Sequence, residues 1–110
     1  MRKFLAAATL VVTLSSAGVA VADPSYSRVS GGHAANSSGS DYNTHVYVCD
    51  TADDGHEMEA QMRVGNYTTF KRDSAGGSCG HSYQTSTIKE FRACRLELFD
   101  TCGGWVRPQR

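Results

Sequence analysis

Two stretches of the chain have the composition or the period of β-strands. Residues 44–49 are rich in β-branched and aromatic side chains, the types that favour strands. In residues 56–64 polar and apolar side chains alternate, which is the period of a strand with one buried face. Residues 67–70 and 82–85 predict two further short strands, separated by a loop at residues 74–78. The pattern leans towards an all-β fold.

A helical alternative remains open for two regions of the chain. Residues 56–64 are mostly good helix formers, and Asp54 followed by Glu57 resembles the capping box at a helix start. Residues 87–99 place five apolar side chains on one helical face: Ile88, Phe91, Cys94, Leu98 and Phe99. An α+β fold with helices near 56–64 and 87–99 is therefore the alternative to the all-β fold.

The first 22 residues have the three parts of a secretory signal peptide. Met1-Arg2-Lys3 is a cationic head, residues 4–14 are apolar apart from two threonines, and Ala20-Val21-Ala22 offers a small-x-small cleavage site. The apolar run is much shorter than the roughly 20 residues of a membrane-spanning helix. We predict cleavage after Ala22 and a secreted, extracellular product without a membrane anchor.

The segment after the predicted cleavage site differs in composition from the rest of the chain. Residues 23–43 are dominated by Ser, Gly and Asn and have no apolar period. Such a segment buries too little surface to offset its ordering entropy. We predict a flexible arm over 23–43, with a lone strand ending at Val29 as the alternative, and a folded domain over 44–108.

The charge balance disfavours a nucleic-acid partner. The full chain has 11 Lys and Arg against 11 Asp and Glu. Loss of Arg2 and Lys3 with the signal peptide leaves 9 basic against 11 acidic residues, a net charge of −2. Proteins that bind nucleic acid neutralise phosphates with clustered Lys and Arg, and the remaining basic residues form no such cluster in the sequence.

Four cysteines in an exported chain of this size predict a disulfide-stapled domain. Three pairings are possible, and we favour Cys49–Cys79 together with Cys94–Cys102. In the loop-entropy description the longer closure contributes ~3.7 kcal/mol and the shorter ~2.6 kcal/mol. Zinc is the alternative use of four cysteines, but the chain has no Cys-x-x-Cys pair and the predicted compartment is oxidising.

The cysteines belong to a wider pattern that spans roughly residues 44–108. It consists of Val48-Cys49-Asp50, Asp54-Gly55-His56, Asp73, Cys79-Gly80, Ile88-x-x-Phe91-Arg92-x-Cys94 and Cys102-x-x-Trp105. The pattern resembles a group of small secreted actinobacterial proteins without an assigned function. The resemblance implies strands where this chain has Glu57 to Met62, and with them a small all-β sandwich or barrel of about five to seven strands. It brings no catalytic residues.

An acidic stretch offers a candidate calcium site. Asp50, Asp54 and Gly55 follow positions one, five and six of a calcium-binding loop, and Asp53 could supply a further carboxylate. Position three is Ala52 rather than Asp or Asn, and the bidentate Glu of position twelve is missing. We favour a simple turn in which Gly55 takes a positive φ. We therefore expect no cofactor, with calcium as the one alternative.

The residue types of an active site are present without a catalytic spacing. His45, His56 and His81 could act as acids or bases, but only His56 has a carboxylate beside it, that of Glu57. Adjacent side chains point to opposite faces of a strand. Ser78 lies near His81 without a Gly-x-Ser-x-Gly motif. We therefore expect a protein that is not an enzyme.

The candidate binding residues are Trp105, Arg107 and Tyr83, which are types that anchor interfaces or stack on sugars. For Trp105 we favour the alternative, which is packing on the core beside Cys102. We expect a monomeric, secreted, non-enzymatic binding or cell-surface-associated domain, with an extracellular protein or a cell-wall glycan as partner. An inhibitor of an extracellular hydrolase, with Ser74 to Ser78 as its contact loop, is the first alternative. A small secreted hydrolase is the second.

Overall fold

The computed structural model describes residues 23–110, which form eight β-strands and contain no helix. The strands are β1 (Tyr26–Val29), β2 (Gly32–Asn36), β3 (His45–Asp50), β4 (Met58–Val64), β5 (Tyr67–Asp73), β6 (Gly80–Tyr83), β7 (Ile88–Arg95) and β8 (Thr101–Cys102). The all-β prediction is confirmed, with eight strands where about five to seven were expected. The predicted signal peptide lies outside the described residues. Over 23–110 no helix is long and apolar enough to cross a membrane.

The strands form two antiparallel sheets that pack face to face. The first sheet has the order β1-β2-β3-β6 and the second the order β5-β4-β7-β8. The core between them combines side chains from both sheets, namely Ala34, Val46, Val48, Met58, Ala60, Met62, Val64, Ile88, Phe91 and Ala93. Alternation along each strand leaves the other side chains on the two outer faces of the sandwich.

Both regions that were open to a helical interpretation are strands. In β4 the apolar positions Met58, Ala60, Met62 and Val64 are buried, and β7 buries Phe91 and Ala93 at alternate positions. Strand β4 is hydrogen-bonded on both sides, to β5 and to β7. Because these pairings bury one full face of β4, the period of the apolar side chains prevails over their helix propensity.

The prediction of a flexible arm over residues 23–43 is wrong for most of that segment. Residues 26–29 and 32–36 form the hairpin β1–β2, and β2 pairs along its whole length with β3. Gly31 makes the turn with a φ of 93°. The hairpin is therefore an integral part of the first sheet.

Hydrogen bonds, rather than large apolar side chains, order this hairpin. The hydroxyl of the buried Ser27 accepts a hydrogen bond from the Ala93 amide at 2.9 Å and donates one to the Gly104 carbonyl at 2.8 Å. The side-chain oxygen of the buried Asn36 accepts hydrogen bonds from the amides of Ser25 and Gln109. Satisfied polar groups can be buried at little cost, so a segment without an apolar period still joins the fold.

The predicted disulfide pairing is confirmed. Cys49 is bonded to Cys79 and Cys94 to Cys102. The first bond links β3 to the residue just before β6, its neighbour in the first sheet, and the second links the neighbouring strands β7 and β8. Each disulfide therefore joins two strands of one sheet, and the two sheets are held together by non-covalent contacts.

Candidate functional site

The loop between β7 and β8 exposes two large apolar side chains. Leu98 is 90% exposed and Phe99 is 83% exposed, the highest values for large apolar side chains among residues 23–110. They lie next to each other at the tip of a hairpin whose base is closed by the Cys94–Cys102 disulfide. We call residues 96–100 the apolar loop.

Hydrogen bonds hold the apolar loop in one conformation. Within it, the Glu97 amide donates to the Asp100 carboxylate at 2.9 Å, and the Thr101 hydroxyl donates to the Glu97 carboxylate at 3.0 Å. At its start, the Leu96 amide donates to the Glu57 carbonyl at 2.9 Å. The two exposed side chains are thus carried on a braced backbone, although neither contacts the core.

The charges around the apolar loop are acidic. Glu97 and Asp100 flank the two apolar side chains, and residues 96–102 contain no Lys or Arg. At the base of the loop Arg95 forms ion pairs with Glu97 at 3.4 Å and with Asp54 at 3.1 Å. The tip therefore presents an apolar surface with a negative rim.

A second surface, which we call the His–Tyr face, covers the outer side of the first sheet. Its members stand at alternate positions along β1, β2, β3 and β6, and they are Tyr26, His33, His45, Tyr47, His81 and Tyr83. Their rings form one connected cluster, with neighbouring centroids between 4.1 and 6.4 Å apart. The tightest contact is the stacking of Tyr83 on His45 at 4.1 Å.

Two histidines of this face are in direct contact. Nε2 of His45 lies 2.8 Å from Nδ1 of His81, and Nδ1 of His45 lies 3.3 Å from the Asp41 carboxylate. His45 and His81 are separated by 36 positions in the sequence. They meet because β3 and β6 pair in a register that sets His45 opposite Tyr83 and Tyr47 opposite His81.

The local environment shifts the pKa values of three groups in or beside this face. Burial, followed by the positive charge of Arg28, lowers the pKa of His33. The hydrogen bond from Ser37 is the largest of several effects that lower the pKa of Asp41. Burial, followed by interactions with Tyr26, raises the pKa of Tyr47.

The three candidate binding residues do not form one site. Tyr83 is 68% exposed on the His–Tyr face. Trp105 lies on the other side of the sandwich, where the guanidinium groups of Arg63 and Arg92 lie 4.0 and 4.6 Å from the centroid of its ring. Arg107 is exposed beside Val106, which bridges to Phe91 of β7. Tyr83 and Trp105 could therefore not contact one small ligand together.

The acidic stretch forms a turn in which its carboxylates have other partners. Asp50 accepts a hydrogen bond from the Ala52 amide, Asp54 pairs with Arg95, and Gly55 takes a φ of 80°. Asp53 is exposed. Nowhere in residues 23–110 do three or more His, Cys, Asp or Glu side chains converge as metal ligands. The structure therefore does not bring Asp50, Asp53 and Asp54 together as a calcium site.

The remaining histidine lies beside an open cavity of about 540 Å³ lined by Asp53, Gly55, His56, Glu57, Ser74, Ala75 and Leu96. The side chains of His56 and Glu57 both have partners within the protein. Nδ1 of His56 lies 3.1 Å from the Leu96 carbonyl, and the Glu57 carboxylate accepts a hydrogen bond from Ser74 at 2.8 Å. His56 therefore supports the backbone at the start of the apolar loop.

Comparisons with known proteins add no functional information. No protein-family model matches the chain, and searches of curated proteins and of solved structures find no significantly similar protein. The candidate sites therefore stand on their geometry alone.

Sequence reasoning missed Leu98 and Phe99 as functional residues because it placed them on the buried face of a possible helix. A signal was nevertheless present in the predicted Cys94–Cys102 pair. Eight residues along a helix span about 12 Å, whereas the Cα atoms of this pair lie 4.0 Å apart. The disulfide requires a hairpin, and a hairpin of this length must expose the side chains at its tip.

Proposed function

We propose that the protein is a secreted, non-enzymatic binding domain that contacts an extracellular partner protein through the apolar loop. The observation that carries this proposal is the exposure of Leu98 and Phe99 at the tip of a disulfide-closed hairpin. The two disulfides are consistent with an extracellular location, and the signal-like first 22 residues support export.

The physical argument rests on the free energy that the exposed tip can gain in a complex. Full burial of a Leu or Phe side chain is worth about 1.5–3 kcal/mol, so the pair could supply about 3–6 kcal/mol. A loop that is already ordered loses little conformational entropy on binding. Adjacent large apolar side chains on an ordered, protruding loop are therefore well suited to anchor an interface.

The charge of the apolar loop favours a protein partner over a lipid surface. Glu97 and Asp100 flank the tip, and anionic lipid surfaces attract Lys and Arg and repel such carboxylates. A partner with an apolar pocket and a basic rim would match both the tip and its charge. A convex tip also requires a concave partner surface.

Inhibition of an extracellular hydrolase is the second candidate, because the convex, braced loop has the shape that enters an active-site cleft. In this version the apolar loop is the contact loop of the inhibitor, in place of residues Ser74 to Ser78 that the sequence suggested. Residues 74–78 carry no side chain larger than that of serine, so they lack an anchor for a pocket. Leu98 or Phe99 would occupy the substrate pocket of a hydrolase that prefers large apolar residues.

The test compares binding by the unmodified protein with binding by loop variants. The oxidised protein is offered to a panel of purified secreted hydrolases and to a cell-wall fraction, and dissociation constants are measured for each retained component. We expect Leu98→Ser with Phe99→Ser to weaken binding at least ~30-fold, the loss of one strong anchor. Phe70→Ser is the matched control, because Phe70 is 59% exposed on β5.

Equal binding by the unmodified protein and the double variant would refute the role of the apolar loop. Inhibition of one hydrolase that is lost in the double variant would support the inhibitor version. Stoichiometric binding to the cell-wall fraction that survives in the double variant would favour a glycan partner and another surface. Both substituted side chains are exposed, so we expect the thermal unfolding of the variant to match that of the unmodified protein.

A further inference from the structure

A second candidate site lies on the His–Tyr face, and it does not depend on the apolar loop. We propose that His45 Nε2 and His81 Nδ1 together bind a divalent transition metal that prefers square-planar coordination, Cu²⁺ before others. The two nitrogens lie 2.8 Å apart on neighbouring strands of the first sheet. Neutral imidazole nitrogen is a common ligand of such metals.

The two nitrogens are close enough for both to reach one ion once the His81 ring has turned. In the structure their separation of 2.8 Å is that of a hydrogen bond between the two rings. Neighbouring ligands at about 2.0 Å from one ion lie about 2.8 Å apart in a square plane and about 3.3 Å apart in a tetrahedron. The preference for Cu²⁺ rests on its place above Ni²⁺ and Zn²⁺ in general affinity for nitrogen ligands.

His45 is already oriented as a ligand. Its Nδ1 faces the Asp41 carboxylate at 3.3 Å, which keeps the proton on Nδ1 and leaves a lone pair on Nε2. The Asp41 carboxylate is in turn fixed by a hydrogen bond from Ser37 at 2.7 Å. The stacking of Tyr83 at 4.1 Å fixes the plane of the imidazole ring. A carboxylate behind a histidine ligand is the usual support for a metal-binding imidazole.

His81 completes the pair by a change of tautomer. With the lone pair on His45 Nε2, the proton of the short contact belongs to His81 Nδ1. Metal binding requires that proton to move to His81 Nε2, so the neutral ring gains one N–H and loses another, with no net release of a proton. The side chain of His81 is exposed, so its ring can turn to direct both lone pairs at one ion.

The pair alone would not fill the coordination sphere of the metal. His45 and His81 supply two ligands, and two positions of a square plane remain for water or for a group from another molecule. The other two histidines of the described chain contact residues outside the pair. The ring of His33 sits between Tyr26 and Tyr47, at 5.6 and 6.4 Å, and His56 faces the Leu96 carbonyl. They provide matched controls for the pair.

The test is titration of the oxidised, tag-free protein with CuCl₂ and separately with ZnCl₂. Electron paramagnetic resonance counts the nitrogens bound to Cu²⁺, and calorimetry gives the dissociation constants. We expect one Cu²⁺ per chain with two bound nitrogens, and an affinity at least tenfold higher than that for Zn²⁺. His45→Ala and His81→Ala should each reduce the Cu²⁺ affinity at least tenfold and leave one nitrogen. His33→Ala and His56→Ala should change neither value.

The variant Asp41→Asn tests whether Asp41 orients the His45 ring without binding the metal itself. It should weaken Cu²⁺ binding by about 10–100-fold, as the loss of such a supporting carboxylate does, while the spectrum still shows two nitrogens. Unchanged Cu²⁺ affinity in His81→Ala would overturn the proposal. Because the His81 side chain is exposed, we expect this variant to fold like the unmodified protein. Absence of Cu²⁺ binding at millimolar concentration, or Zn²⁺ binding as tight as Cu²⁺ binding, would overturn it too.

Discussion

Gly103 lies so close to Arg28 that a Cβ atom on Gly103 would overlap the Arg28 carbonyl oxygen and stand 2.9 Å from the Ser27 hydroxyl. The contact joins β1, at the edge of the first sheet, to the segment after β8. A side chain at position 103 would force the N-terminal hairpin away from the second sheet.

The first prediction follows from this close approach. Gly103→Ala should lower the free energy of unfolding by about 1–3 kcal/mol, the usual cost of overpacking a close contact. Gly104→Ala is the matched control, because no atom lies within 4 Å of a Cβ built at Gly104. Urea unfolding of the two variants measures the difference. Equal stability of the two would show that β1 does not pack as closely as described.

The second prediction concerns the hydroxyl of Ser27. Ser27→Ala leaves the buried Ala93 amide without a hydrogen-bond partner, and an unsatisfied buried donor costs about 1–3 kcal/mol. Urea unfolding should show that loss, and hydrogen exchange at Ala93 should accelerate more than exchange elsewhere in β7. Ser38→Ala is the control, because Ser38 is exposed in the β2–β3 connection. A variant as stable as this control would contradict the prediction.

The third prediction ranks the two disulfides. The Cys49–Cys79 bond spans 30 positions and the Cys94–Cys102 bond spans 8. Loop closure therefore predicts that replacing both cysteines of the longer bond by Ala costs about 1 kcal/mol more stability than the same replacement at the shorter bond. Denaturant unfolding of the two double variants measures the difference. A larger loss at Cys94–Cys102 would show that the hairpin of the apolar loop contributes more than chain entropy.

The fourth prediction concerns the titration of His33. Arg28 lies directly opposite His33 in the β1–β2 pairing, and its charge adds to burial in lowering the pKa of His33. Arg28→Gln should therefore raise the pKa of His33 towards the ordinary histidine value without reaching it, because burial is the larger cause. Nuclear magnetic resonance of the imidazole proton gives the titration curve. Arg63→Gln, on the opposite face of the sandwich, should leave the curve unchanged.

The lowered pKa of His33 also sets the direction of a pH effect on stability. The folded state favours neutral His33, so its contribution is fully present above the pKa of the unfolded chain. That contribution is lost as the pH falls through the lower folded-state pKa. His33→Gln should therefore flatten the fall in stability on the acid side of pH 6.5. A parallel fall in both proteins, measured as the urea midpoint against pH, would argue against the shift.

The second sheet was the more predictable half of the fold. The alternation from Met58 to Val64 survives in the structure because β4 has a strand on each side and buries one face. The pairing of Cys94 with Cys102 was also favoured from the sequence, although other pairings remained open there. The apolar pattern that suggested a helix up to Phe99 included Leu98 and Phe99, which lie beyond the end of β7. Only the pairing of Cys94 with Cys102 could have indicated that these two side chains are not part of the core.

The N-terminal hairpin could not be predicted by apolar period because long-range polar contacts order it. Ser27 bonds to residues 66 and 77 positions away, and such partners leave no local signal. The His45–His81 pair was hidden for a related reason. Its residues meet only after the chain has crossed to the second sheet, formed β4 and β5, and returned as β6 beside β3. The presence of four histidines in the sequence does not predict the register in which β3 and β6 pair.

The position of the Cys94–Cys102 bond has a consequence for proteolysis. A protease that cut the peptide bond between Leu98 and Phe99 would release no fragment, because the disulfide still joins the two sides of the break. The nicked chain would migrate as one species until it was reduced. Both new ends would stay in the enzyme's cleft at high local concentration, which favours re-formation of the peptide bond over departure of a product. Such a loop would be a poor protease substrate and would dissociate from the enzyme slowly.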